Sequence, residues 1–167
     1  MREKMTYRID WSGRSIDYTD DEIKTMVEVA QTADPLTQGE HLLQFEKKIK
    51  QYLGVDHAFG MTNAASALEL IAVLSRLGPG DEVIIPSHTY CASAIPFGRT
   101  GAKIVWADID PETFVISPED IQNKITSKTK MVVVVHLYGF PCDMSLIQAI
   151  CRESHLLLVE DYAQAMG

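Results

Sequence analysis

From residue 57 onward the chain alternates between short apolar runs and amphipathic stretches, and this alternation limits what it can fold into. Strand-like runs fall at 57–61, 82–86, 103–108, 131–136 and 156–160. Helical patterns lie between them, at roughly 64–77, 89–99, 117–126 and 143–154. Strands joined through helices are parallel strands, because a parallel partner is reached only by a crossover that carries the chain back to its starting end. Val83-Ile84-Ile85 and Met131-Val132-Val133-Val134-Val135 are apolar at every position rather than at every second one. A strand covered on both faces has that pattern. The expectation is an α/β fold of three layers, with helices on either side of a mostly parallel central sheet.

The first third of the chain reads differently. Residues 1–18 are mixed and polar and are expected to form an arm, leaving 19–167 for the folded domain. Thr19-Asp20-Asp21-Glu22 has the chemistry of a helix start, a capping hydroxyl followed by acids in the first turn. Ile23, Met26, Val27 and Ala30 then recur at helical spacing until Ala33-Asp34-Pro35 ends the pattern. A second helix is predicted over 40–53, with Leu42, Phe45, Ile49 and Leu53 on one face and Gly54 as its stop.

Composition narrows the classes. The chain has 167 residues, room for one domain of ordinary size. With 46% hydrophobic and 23% charged residues it is suited to a packed core rather than to disorder. Lys plus Arg number 15 against 23 Asp plus Glu, a net charge of −8, which argues against nucleic acid as a partner. The longest apolar run, Met131 to Val135, is far below the ~20 residues of a membrane helix, so no membrane association is expected. No apolar stretch follows Met1-Arg2-Glu3-Lys4-Met5, so no signal peptide is expected and the cytoplasm is the default compartment. Cys91, Cys142 and Cys151 form no CxxC and have no clustered His, which makes a zinc site unexpected; they read as buried or partly buried free thiols.

In open α/β sheets ligands sit beyond the carboxyl ends of the strands, so the polar residues following each run are the ones that matter. Neither G-x-G-x-x-G nor a P-loop follows any run, which removes the two commonest nucleotide sites. Thr62-Asn63-Ala64-Ala65-Ser66 enters a helix through small residues, and a helix start with close backbone access can hold a phosphate. The same segment is also what a tight turn with no ligand looks like. Tyr90 can stack on a flat ligand or simply pack. Asp161 can pair with a protonated ring nitrogen or cap a helix beginning at Tyr162. His88 can act as a base or sit hydrogen-bonded at a rim. Taken together, a phosphate cradle, an aromatic plate and a carboxylate on neighbouring strand ends are what pyridoxal 5'-phosphate requires.

The chain resembles the amino-terminal part of the DegT/DnrJ/EryC1/StrS family of pyridoxal-phosphate sugar aminotransferases over about residues 16–167. Several ordered blocks carry the resemblance: Pro35-Leu36-Thr37-Gln38-Gly39 with Phe45-Glu46, Asn63 to Leu68, Gly80 to Ser87 with Thr89-Tyr90, Asp108-Ile109-Asp110-Pro111, Val135 to Gly139, and Glu160-Asp161-Tyr162-Ala163-Gln164-Ala165. It implies the large domain of the aspartate-aminotransferase (type I) fold, here without its carboxyl-terminal domain. It also implies roles for individual residues. Ala64 and Ala65 would offer N–H groups to the cofactor phosphate, Tyr90 would stack on the ring, Asp161 would pair with the ring nitrogen, and Gln164 would lie near the phenolic oxygen. The family's turn commonly reads Asn/Ser-Gly-Thr, so Ala65 would lack one hydroxyl contact, and Tyr162 stands where the family has a small residue.

The resemblance further implies the reaction: an amino group moves from an amino acid, usually glutamate, to a nucleotide-linked keto-sugar, in homodimers with shared active sites. The family's Schiff-base lysine follows the Glu160-Asp161 block beyond Gly167, whereas the last lysine here is Lys130, so these 167 residues are expected to be inactive alone. Two other readings stay open: a sugar dehydratase of the same family, in which a histidine replaces that lysine, and a non-catalytic cofactor-binding or regulatory module.

Overall fold

The computed structural model describes residues 18–35 and 37–166; the arm expected over 1–18 therefore lies outside the described residues except for Tyr18, as do Leu36 of the first resemblance block and Gly167. The contacts divide the chain into two compact units, split between Gly60 and Met61.

The first unit carries two helices, α1 (Asp20–Thr32) and α2 (Glu40–Leu53). A cap fixes where α1 begins and where α2 ends. The Thr19 hydroxyl accepts from the Glu22 N–H, and the Glu22 carboxylate accepts from the Thr19 N–H at 2.7 Å, a reciprocal box that satisfies two otherwise orphaned groups. Helix α2 stops at Gly54, whose φ of +66° places it in the left-handed region that a residue with a Cβ reaches only at a cost. The helical spacing of Ile23, Met26 and Val27 is correct, yet neither helix contains a buried residue. The strand expected over 57–61 does not form. Phe59 is 77% exposed, and the Gly60 N–H donates to the Glu46 carboxylate at 2.8 Å instead of to a neighbouring strand. A strand exists only by pairing, and among the described residues this run pairs with nothing.

The second unit is a three-layer α/β unit. Its elements are α3 (Ala64–Leu74), β1 (Glu82–Pro86), α4 (Ile95–Arg99), β2 (Lys103–Ala107), α5 (Pro118–Lys124), β3 (Thr129–Val135), α6 (Met144–Glu153) and β4 (Leu157–Asp161). The four strands run parallel in the order β2-β1-β3-β4. Alternate residues of the central strands face opposite layers. Val83, Ile85, Met131 and Val133 pack with Leu68 and Ala72 of α3 and Phe97 of α4. Ile84, Val132 and Val134 pack with Ile121 of α5 and Ile147 and Cys151 of α6. This two-sided burial is why β1 from Val83 and β3 from Met131 are apolar at every position. The edge strands β2 and β4 are more exposed, with Trp106 half-exposed.

The helix expected over 89–99 is split into a 3-10 turn, Cys91–Ser93, and the short α4. Pro96 explains the break: it has no N–H for the preceding turn and crowds the carbonyl four residues back. Among the described residues no helix is long and apolar enough to cross a membrane.

Candidate functional site

The strand order reverses at β1, since the chain leaves it for β2 on one side and later returns with β3 on the other. Such a switch point opens a crevice at the carboxyl ends of the strands. A cavity of about 420 Å³ occupies that position. Ala64, Ala65, Tyr90, Asp161 and Gln164 all line it, so residues up to 100 positions apart in the chain meet around one cavity.

Each arrives there for a local reason. Asn63 has extended backbone and caps α3, its Oδ1 accepting from the Ser66 N–H at 2.9 Å and from the Ser66 hydroxyl at 3.2 Å. The N–H groups of Ala64 and Ala65 belong to the first helical turn, where no carbonyl within the helix can reach them. Both residues line the cavity, at the positive end of the α3 dipole. Ala64 is helical, so no left-handed conformation demands a glycine there. Tyr90 follows β1 at the start of the 3-10 turn, 72% exposed and free to present a ring face.

Asp161 ends β4. Its Oδ2 accepts from the Ser93 hydroxyl at 2.8 Å and its Oδ1 from the Ala163 N–H at 3.2 Å. The latter bond closes a turn over 163–164 rather than the start of a helix at Tyr162. The Ser93 hydroxyl in turn accepts from Thr89 at 3.0 Å. Gln164 Oε1 accepts from the Tyr138 N–H at 2.8 Å, which leaves the amide NH₂ to donate. Tyr138 adopts φ of +57°, part of the sharp turn that brings its N–H to Gln164. His136 is buried at the end of β3. Its Nδ1 accepts from the Cys142 N–H at 3.0 Å, which sets the neutral ring with its proton on Nε2, 3.5 Å from Glu160 Oε2.

Two features were not foreseen. Ser93 is 1% exposed and bound to Asp161, but a serine inside a helical pattern carries no signal for a partner 68 residues away. His88 does not line the cavity. It lies half-buried against the edges of Phe114 and Tyr138, at 6.4 and 6.0 Å, with Nδ1 buried and unpaired. The three cysteines are free thiols; Cys142 and Cys151 are buried, but Cys91 is exposed, contrary to expectation. Burial pushes the Cys142 thiol up to about 11.

Known proteins are similar to this chain in sequence and in fold. GDP-perosamine synthase of Caulobacter vibrioides is 44% identical over 129 residues, covering 77% of this chain and 35% of that protein. The structure of an aminotransferase from Psychrobacter cryohalolentis superposes with a TM-score of 0.83 at 35% identity, over 90% of this chain and 38% of that one. A GDP-4-keto-6-deoxymannose-3-dehydratase with a trapped PLP-glutamate geminal diamine superposes at 0.86 with 26% identity, over 95% of this chain and 42% of that one. The chain thus spans well under half the length of the relatives it matches. The family model for the DegT/DnrJ/EryC1/StrS aminotransferase family matches residues 17–167, and the chain belongs to that family.

Proposed function

We propose that this chain is the amino-terminal part of a pyridoxal-phosphate-dependent aminotransferase that moves an amino group from an amino acid, glutamate being the usual donor, to a nucleotide-linked keto-sugar. The observation that carries the reading is the single cavity at the switch point, where a helix start, an aromatic side chain and an oriented carboxylate converge. These residues fit the cofactor on their own chemistry. The Ala64 and Ala65 N–H groups suit a phosphate dianion. Tyr90 offers a face for the ring. Asp161, with a fixed donor on each oxygen, keeps acceptor capacity for a ring N–H. The free NH₂ of Gln164 suits a phenolate oxygen.

When bound, the cofactor supplies an electron-withdrawing ring for the α-carbon of an attached amine. This chain's own residues bind and orient. The amides of α3 anchor one end, Tyr90 sets the plane, and Asp161 holds a proton at the ring nitrogen. In the family, covalent attachment falls to a lysine that follows the Glu160-Asp161 block, and the last lysine among these 167 residues is Lys130. It takes 19–167 as part of the cofactor-binding domain, 1–18 as an arm, a homodimer as the whole enzyme's assembly, and the cytoplasm as its compartment. A second reading, a dehydratase of the same family, is favoured by the likeness to the 3-dehydratase structure.

Equilibrium binding of pyridoxamine phosphate tests the proposal, since that form needs no lysine. Saturable binding, weakened at least about tenfold by Asp161→Asn through loss of a charge-assisted hydrogen bond, is the expected result. Binding indifferent to Asp161→Asn would refute it.

A further inference from the structure

We propose that Ser93, backed by Thr89, is a positioning residue that holds the Asp161 carboxylate in the one orientation able to keep a proton on the cofactor's ring nitrogen. The inference rests on the pyridoxal-phosphate reading above.

The direction of the hydrogen bonds is forced by chemistry. An ionised carboxylate only accepts, so the Ser93 hydroxyl must donate to Asp161 Oδ2 at 2.8 Å. Having spent its single proton there, Ser93 can only accept from Thr89, at 3.0 Å. Both hydroxyls therefore point toward the carboxylate, and a chain of aligned donors strengthens each member. Ser93 is 1% exposed, so no water competes for its hydroxyl. Asp161 Oδ1 is tied separately by the Ala163 N–H at 3.2 Å. With one donor on each oxygen the carboxylate plane cannot rotate freely, and each oxygen of Asp161, which lines the cavity, keeps capacity to accept a further donor.

The same turn also carries the aromatic group. The Ser93 N–H donates to the Tyr90 carbonyl at 3.0 Å. One 3-10 turn after β1 thus ties the residue that would set the ring's plane to the residue that would hold its nitrogen, although Asp161 comes from β4. A serine that merely filled space would need neither the second hydroxyl behind it nor the carboxylate ahead of it.

The test titrates pyridoxamine phosphate, isotopically labelled at the ring nitrogen, into the 167-residue chain and into the S93A, S93T, T89V and D161N variants. The readouts are the dissociation constant and the chemical shift of the bound ring nitrogen. Ser93→Ala should weaken binding about tenfold, the loss of one hydrogen bond to a charged group, and move the shift toward unprotonated pyridine. Ser93→Thr should restore both. Thr89→Val should move both readouts in the same direction by less, and adding it to S93A should do little more, because the two act through one carboxylate. A folded S93A variant with the parent's shift and affinity, alongside a D161N variant that loses both, overturns the inference and leaves the cofactor reading standing. A D161N variant that matches the parent overturns both. Should S93A not fold, T89V decides, and a parental shift in T89V overturns the inference.

Discussion

Replacing Asn63 separates the two things that the start of α3 does. Its side chain caps the helix through Ser66, with bonds of 2.9 and 3.2 Å, and it stands beside the amides assigned to the phosphate. Asn63→Ala removes the acceptor and leaves the Ser66 N–H to water. Both bonds are exposed, so the cost belongs near the typical cap value, about 1 kcal/mol. For a chain of this size that lowers the melting temperature by roughly 2–4 °C. Asn63→Asp keeps a capping oxygen and adds a negative charge at the positive end of the helix, so stability should match or slightly exceed the parent's. The same charge sits next to the proposed phosphate position and should weaken pyridoxamine phosphate binding by several-fold at low salt, less at high salt. Urea unfolding gives the first quantity and equilibrium titration at two ionic strengths the second. The two variants should rank in opposite orders: N63A loses stability more than N63D, and N63D loses binding more than N63A. An N63D variant that binds like the parent would show that no anion sits at this helix start, and an unchanged N63A midpoint would show that the cap contributes nothing.

Two further outcomes follow from buried ionisable groups in the second unit. The Glu82 carboxylate, buried at the start of β1, is held below its usual range first by the Thr126 hydroxyl at 2.6 Å and then by Lys103 at 3.1 Å. A carboxyl whose folded pKa is depressed stabilises the fold above its unfolded value of about 4.5 and loses that contribution as pH falls through the folded value. Urea midpoints measured from pH 7 downward should therefore drop in acid, and Glu82→Gln should flatten that limb; an unchanged slope refutes the assignment. For the cysteines, iodoacetamide at pH 8 should label the exposed Cys91 and spare Cys142 and Cys151, with full labelling only in denaturant. Mass spectrometry showing Cys142 modified at the rate of Cys91 in the folded chain would contradict its burial.

Much of this protein is written locally. The capping residues Thr19 and Glu22, the stop at Gly54 and the cap at Asn63 act within a few residues of the helix ends they define, so α1 and α3 begin, and α2 ends, where the sequence predicts. The all-apolar runs 83–85 of β1 and 131–135 of β3 announce strands buried on both faces, because burial on two sides disfavours a polar residue that has no partner. The ordered blocks ending in Glu160-Asp161 identify the family and place the candidate residues near strand ends.

What depends on partners far along the chain could not be read that way. The run 57–61 has strand composition but no strand beside it, and pairing is a property of two segments. His88, in the same loop as Tyr90, turns away to Phe114 and Tyr138 while Tyr90 lines the cavity; only packing distinguishes them. The order β2-β1-β3-β4, and with it the crevice, arises from how the crossovers return. The bond from Ser93 to Asp161 joins residues 68 apart, one in a turn after β1 and one at the end of β4. The sequence by itself determined the capped helix ends, the strands buried on both faces and the family. The tertiary structure alone decided which side chains meet, because propensity and capping act over a turn, whereas a binding site is assembled from the ends of strands that only folding makes neighbours.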